Sequence, residues 1–344
     1  MRRNGVYMVK KREIKYETVR TTAILFVVLL HLFAHIETGI YDFEWWAKTA
    51  AALIFSTCNG LFFLISGKFN LVEKNAEEPV SFYRRRMWSV IVPFVISSAI
   101  CFAVEQALLG GNGNYLNALA EVFPNTHYWF VYELAGLLFW TPFIARMVNA
   151  LDLNKKLILT AGVIVCQAAF VFLKDIGTYP GYELPLMGWP LFFIVGSFAD
   201  QLSGRWKKAI TWIGVACFFV SMFQMRVFPE SSQGLQDLSP KYFFFVMALY
   251  YGIQKIALPE PAEKVISYIA GNSYYVYLFH NTVITLFFSD VVGIYDYLMP
   301  KTGTVLFLII TVVVCFTISI ICGTIIEKMI GIVHKLLKSY GGNE

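Results

Sequence analysis

The stretch Glu17-Thr-Val-Arg20-Thr-Thr-Ala-Ile-Leu-Phe-Val-Val-Leu-Leu-His31 decides the fold of this chain. It belongs to an apolar run over residues 18–36, which is long enough for a helix that crosses a membrane. At about 100° per residue, four polar residues share one face of that helix: Glu17, Arg20, His31 and His35. His31 lies about 16 Å beyond Arg20, close to the middle of a ~30 Å hydrocarbon core. Because an ionisable group at that depth is costly unless it faces protein or water, the stripe indicates the wall of an internal site.

Members of this stripe also have a purely structural interpretation. A neutral buried histidine can hydrogen-bond a neighbouring helix, and Arg20 can act as an interfacial anchor in the lipid phosphates. Two such residues by themselves would not distinguish the structural interpretation from the functional one. The alignment of four polar groups favours a functional site.

The composition is that of a polytopic membrane protein. Hydrophobic residues make up 57% of the chain and charged residues only 15%, whereas about a quarter of the residues in soluble domains are charged. The formal net charge of +5 does not indicate a nucleic-acid partner, because in a membrane protein the positions of the charges matter more than their sum. All six cysteines fall in apolar stretches without metal-ligand spacing, which is typical of packing residues.

Apolar windows predict an all-α fold with about ten transmembrane helices. The ten windows are 18–36, 47–66, 87–109, 128–148, 155–173, 185–201, 208–227, 239–257, 267–289 and 304–332. With the N-terminus in the cytoplasm, 23 Lys and Arg residues fall on the inner side and five on the outer side. This asymmetry predicts that both termini are cytoplasmic. We expect one membrane domain over residues 1–344, with a basic cytoplasmic N-terminus (1–17) and a cytoplasmic tail (333–344).

Polar and basic residues gather at the predicted cytoplasmic side of spans 1 to 3. Ser66 and Gly67 end the second span, and Arg84, Arg85 and Arg86 precede the third. The arginine triplet can be explained as a positive-inside signal alone. Guanidinium groups also suit phosphate oxygens, so the triplet and Arg20 are candidates for an anion-binding mouth of the site.

Further polar residues fall inside predicted spans 4 and 9. Glu133 lies about one turn into span 4, where a carboxylate needs a partner, and His280 lies within span 9. Trp129 fits an interfacial aromatic belt as well as a ligand-stacking role. His31 and His35 have the i, i+4 spacing of a shared metal ion, but the chain has no HExxH motif and its histidines are scattered, so we expect no metal.

The sequence resembles acyltransferase family 3, integral membrane proteins that O-acylate cell-surface polysaccharides and other exported carbohydrates. The family's first-helix signature, Arg followed after ten residues by His, matches Arg20 to His31. Four further blocks are similar to the family: Phe62-Phe-Leu-Ile-Ser66-Gly67, Phe82-Tyr-Arg84-Arg85-Arg86 with Pro93, Tyr128-Trp129-Phe130 leading to Pro142, and Ser273-Tyr-Tyr-Val-Tyr-Leu-Phe-His280. Many members carry another arginine where this chain has Ser89.

The resemblance implies an enzyme with two substrates on opposite sides of the bilayer. The donor would be a cytoplasmic acyl-CoA, commonly acetyl-CoA, and the acceptor a carbohydrate hydroxyl reached from outside the cell membrane of a bacterium. Transfer to a hydroxyl needs a general base, and the pKa of histidine is near neutrality. We therefore expect the following roles: catalysis by His31 with Glu133; donor or substrate binding by Arg20, Arg84, Arg85, Arg86, Ser66, Gly67, Trp129 and His280; and support from Glu17 and His35.

A transporter or flippase for a glycan or a lipid-linked sugar is the alternative function. A polar pathway through ten helices also describes secondary carriers. Carriers often show repeat symmetry, with Gly- or Pro-broken helices at matched positions in two halves. The sequence shows no such repeat, which favours the enzyme.

Overall fold

The computed structural model describes residues 13–35, 42–110, 113–120, 128–178, 186–227 and 239–340, and these form helices joined by turns, with no β-strand. Most of the basic N-terminus and the last four residues of the tail, which we expect in the cytoplasm, lie outside these ranges. The helices are α1 Ile14–Ala34, α2 Asp42–Ser56, α3 Cys58–Asn70, α4 Glu73–Glu77, α5 Pro79–Arg86, α6 Val92–Leu109, α7 Tyr115–Ala120, α8 Trp129–Asn149, α9 Leu153–Asp175, α10 Trp189–Gly196, α11 Gly204–Val227, α12 Pro240–Ile253, α13 Glu260–Phe288 and α14 Ile294–Tyr340. A π-helix (Met87–Ile91) joins α5 to α6, and a 3₁₀ turn (Ala199–Gln201) follows α10.

The all-α membrane fold is confirmed, whereas the prediction of ten spans is not. Among the described residues, seven helical segments are long and apolar enough to cross a bilayer. They are Ile14–Ala34, Trp45–Asn70, Pro79–Leu109, Trp129–Asn149, Leu153–Asp175, Gly204–Val227 and Ile294–Leu336. The three predicted spans that do not qualify correspond to α10, α12 and α13.

Burial explains why these three helices differ from the others. Almost every residue of α10 and most of α12 are buried, and twelve residues of α13 are buried, including four aromatic side chains and His280. In contrast, only 11% of the apolar window is buried in each of α9 and α11. A helix enclosed by other helices need not match the thickness or the apolarity of the lipid, so α10 and α12 can be short and α13 can be polar.

The centre of the molecule is formed by α1, which packs against α13 on one side and α3 on another. The pairing with α13 is parallel: Thr21 donates to the Ile266 carbonyl near the start of both helices (3.0 Å), and His35 stacks on Phe288 at their ends. The resulting core includes Val19, Ile24, Val28 and Leu32 of α1, all fully buried.

Two glycines set how closely α3 approaches α10. A Cβ atom at Gly67 would lie 1.7 Å from the Phe193 carbonyl oxygen, and one at Gly196 would lie 2.0 Å from the Leu64 carbonyl oxygen. Only glycine leaves room for this backbone contact. Small residues of this kind are typical of close helix packing in membranes.

The helical segment that carries the arginine triplet changes pitch within the candidate span Pro79–Leu109. The π-helix begins at Met87, directly after Arg86, and ends just before Pro93. Proline has no N–H to continue the α-helical hydrogen bonds. The Tyr274 hydroxyl of α13 donates to the Val90 carbonyl (2.9 Å), so a neighbouring helix also holds the π-helical turn. Single π-turns of this kind occur frequently at functional sites.

Candidate functional site

Two histidines from distant parts of the sequence meet in the core. The ring centroids of His31 (α1) and His280 (α13) are 4.9 Å apart, with the rings inclined at 53°. His280 is fully buried, and His31 is half-buried. His280 Nδ1 lies 2.6 Å from the Tyr277 carbonyl oxygen. Because a carbonyl can only accept, Nδ1 carries the proton and Nε2 is the basic nitrogen of this ring.

The predicted polar stripe of α1 has partners along its length. At the start of α1, the carboxylate of Glu17 accepts a hydrogen bond from the Ser267 hydroxyl of α13. At the end, the His35 ring stacks on Phe288 with centroids 4.7 Å apart and an interplanar angle of 17°. These contacts join α1 to α13 on both sides of the histidine pair, and the supporting role of Glu17 and His35 stays a prediction.

Aromatic side chains connect the start of α8 with the histidine pair. Trp129 packs on Trp189 (5.5 Å between centroids) and on Phe130 (6.2 Å). Phe130 contacts Tyr277 (5.2 Å), which in turn contacts His280 (5.5 Å). Trp129 is half-buried at the rim of this aromatic group. These ring contacts form a continuous chain from Trp129 to His280.

Two of the predicted arginines contact the end of α3 directly, and Arg85 is linked to it through Asn75 of α4. Arg86 donates to Asn70 Oδ1, and Arg85 donates to Asn75 Oδ1 (3.1 Å) and to the Ser81 hydroxyl (2.7 Å). The Arg20 guanidinium lies over the ring of Phe69, 5.8 Å from its centroid. The positive charges of Arg85 and Arg20 are close enough to act on Arg86 electrostatically. The positive charges of these arginines repel one another, and a bound anion would relieve that repulsion.

The remaining predicted residues occupy less central positions. Arg84 is exposed, and Glu133 is half-buried in the first part of α8. The Ser66 carbonyl accepts from Asn70 Nδ2 (2.8 Å), and Gly67 makes the close contact with α10 described above. Gly67 thus has a packing role, and its proposed part in donor binding stays a prediction.

The structure brings together several polar residues that the sequence pattern did not predict. Asn70 and Asn75 hold two arginines, and the Thr282 hydroxyl donates to Glu105 Oε1 (2.6 Å) between α13 and α6. A sequence signal existed for Glu105, a carboxylate inside an apolar span, and for Asn70, which follows Ser66 by four residues near a helix end. Among the described residues, no group of three or more His, Cys, Asp or Glu side chains could hold a metal ion.

Comparison with known families identifies the class of chemistry. A family model described as an acyltransferase domain matches residues 14–323. The match begins at the first residue of α1 and extends into α14, so it includes both histidines and all the arginines of the cluster. Searches of curated proteins and of solved structures found no match.

Proposed function

The chain belongs to acyltransferase family 3 and is a polytopic membrane acyltransferase, and we propose that it transfers an acyl group, most simply acetyl, from cytoplasmic acyl-CoA to a hydroxyl of an exported or surface carbohydrate. The contact between His31 and His280 carries this proposal, because it puts two neutral bases together in the core of a membrane protein. Membership in the family favours the enzyme over the transporter.

The donor would bind at the arginine cluster. Acyl-CoA carries several phosphate groups, and Arg20, Arg85 and Arg86 supply positive charge at one end of α3. Guanidinium groups bind phosphate oxygens in charge-assisted hydrogen bonds. We assign donor binding to these three residues and include Arg84 as an exposed neighbour.

His31 would act as the general base. Its neutral imidazole takes the proton from the acceptor hydroxyl while that oxygen bonds to the thioester carbonyl carbon. The carbon–sulfur bond then breaks, the proton passes to the leaving thiolate, and the products are an ester and free CoA. His280, the protonation of which is fixed at Nδ1 by the Tyr277 carbonyl, would hold substrate through Nε2.

The acceptor would approach from the side of Trp129. The faces of its indole ring and of the aromatic group behind it suit the apolar faces of sugar rings. Glu133, on the same helix, would orient or charge-balance a histidine. We expect the protein in the inner membrane of a bacterium, where exported carbohydrates can be reached from the outer side.

The test is transfer of label from radioactive acetyl-CoA to a carbohydrate acceptor by purified protein in liposomes. We expect His31→Ala to reduce turnover by about 10²- to 10⁴-fold, the usual contribution of a general base. His334→Ala is the control, since His334 stacks on Trp88 and not on His31 or His280, and it should leave turnover unchanged. Equal turnover of His31→Ala and wild type would overturn the assignment.

A further inference from the structure

Two asparagines hold the arginine cluster through an unbroken hydrogen-bond network. Asn70 Oδ1 accepts from Arg86, and Asn70 Nδ2 donates to the Ser66 carbonyl (2.8 Å). Asn75 Oδ1 accepts from Arg85 (3.1 Å), and Asn75 Nδ2 donates to the Asn70 carbonyl (2.8 Å). The network therefore links both guanidinium groups to the last turn of α3.

The orientation of each amide is determined by its partners. A backbone carbonyl can only accept and a guanidinium can only donate, so the nitrogen of each amide faces the carbonyl and its oxygen faces the arginine. Both asparagine side chains are buried. The Ser66 carbonyl lies near the end of α3 and accepts the Asn70 side-chain amide there, which fixes this side chain against its own helix.

The chemistry of the partners preserves the charge of the cluster. Arg85 and Arg86 are held by amide and hydroxyl oxygens, which are neutral. A carboxylate at either position would bind the guanidinium equally well but would cancel its charge. Neutral partners fix the geometry and leave the positive charge for a ligand.

Arg86 also retains unused hydrogen-bonding capacity. Its Nε atom is buried and has no hydrogen-bond partner among the described residues. A buried N–H donor of a charged group is costly without a partner. An anionic oxygen at this position would satisfy it.

We propose that Asn70 and Asn75 are positioning residues that orient Arg86 and Arg85 for the phosphate groups of the acyl donor. This inference rests on the proposed function for the identity of the donor. It separates the members of the arginine triplet: Arg85 and Arg86 are fixed by the network and bind phosphate, whereas Arg84 contributes charge only.

The experiment is a double-mutant cycle on donor binding, measured by equilibrium dialysis of labelled acetyl-CoA against purified protein in detergent. We expect Arg86→Ala to weaken binding by at least about tenfold and Asn70→Ala by about fivefold. Because Asn70 acts through Arg86, the double variant should bind no more weakly than Arg86→Ala alone. Asn154→Ala, at an exposed asparagine at the start of α9, is the matched control and should bind as wild type does.

Charge provides a second readout that a merely structural role would not change. Asn70→Asp should weaken binding by about tenfold and reduce its salt dependence, since the new carboxylate pairs with Arg86. If Asn70→Ala does not fold, the same cycle with Asn75→Ala and Arg85→Ala replaces it. Wild-type affinity in Asn70→Asp, or single effects that multiply in the double variant, would overturn the proposal.

The proposed function and this inference fail in different ways. A wild-type protein that binds no acetyl-CoA contradicts the proposed donor. The same variants measured with inorganic pyrophosphate then test the anion site alone: loss of pyrophosphate binding in Asn70→Asp supports the network, and unchanged binding contradicts it.

Discussion

The Tyr16 hydroxyl donates to Asp200 Oδ2 across 2.6 Å and thereby ties the start of α1 to the 3₁₀ turn after α10. Lys68 Nζ of α3 lies 2.9 Å from the same oxygen. One carboxylate thus joins three parts of the chain, and Phe69 links this junction to the arginine cluster, because its ring contacts both Tyr16 and the Arg20 guanidinium. Burial alone would raise the pKa of Asp200, but the hydrogen bonds from Tyr16 and Lys68 outweigh it and hold the pKa below its ordinary value.

Asp200 should therefore stabilise the fold in a pH-dependent manner. Because its pKa is lower in the folded state, the stabilisation is complete above the unfolded value of about 3.9 and is lost as the pH falls through the folded pKa. We expect Asp200→Asn to lower the free energy of unfolding at pH 7 by about 1.5–3 kcal/mol, and the difference from wild type to shrink near pH 3. Thermal unfolding in detergent at both pH values measures this. Asp290→Asn, at an exposed carboxyl, should match wild type throughout.

Gly67→Ala should destabilise the protein by about 1–3 kcal/mol or more, because its Cβ would overlap the Phe193 carbonyl oxygen and force α3 away from α10. Gly162→Ala is the control, since a Cβ there meets no atom within 4 Å and alanine favours a helix. The melting temperatures of the two variants in detergent provide the comparison. Equal melting temperatures would show that the α3 backbone at Gly67 does not touch the Phe193 carbonyl of α10.

His280→Phe should keep the packing against His31 but remove both ring nitrogens. If Nε2 holds substrate, kcat/KM falls by about 10- to 100-fold, the value of a hydrogen bond to a charged or reacting group. His334→Phe makes the same exchange at the Trp88 stack and should leave kcat/KM unchanged. A His280→Phe enzyme with wild-type kcat/KM would limit His280 to packing.

Thr282→Val should destabilise the contact between α13 and α6. The Glu105 carboxylate would lose the hydroxyl donor at 2.6 Å, which corresponds to about 1.5–3 kcal/mol for a charged acceptor. Thr282→Ser retains the hydroxyl and should restore most of the stability. If both variants unfold at the same temperature, the methyl group rather than the hydrogen bond matters at this position.

The lipid-facing part of the fold could be predicted from sequence, whereas the interior could not. Length and apolarity identify α9 and α11, in which few residues are buried, because these helices have to satisfy the bilayer. The same criterion fails for α10 and α13, since neighbouring helices shield them from lipid. For α13, Tyr274 and His280 lower its apolarity and at the same time build its contacts with the π-helix and with α1.

The candidate site, too, could be predicted from sequence only in part. The helical period places Glu17, Arg20, His31 and His35 on one face of α1, and that prediction needs no tertiary information. The partner of His31 depends on packing between segments far apart in the chain. Asn70 and Asn75 were missed because asparagine near a helix end is usually interpreted as a turn residue.

The parallel pairing of α1 with α13 has a consequence for biosynthesis. Glu17 and Ser267 are separated by 250 residues, and Thr21 and Ile266 by 245. The ribosome therefore delivers the first helix to the bilayer long before the helix that covers its ionisable face. Until the C-terminal third emerges, Glu17 and His31 need cover from another source, such as the insertion machinery or an earlier helix, and a nascent chain released before that stage would contain His31 without His280.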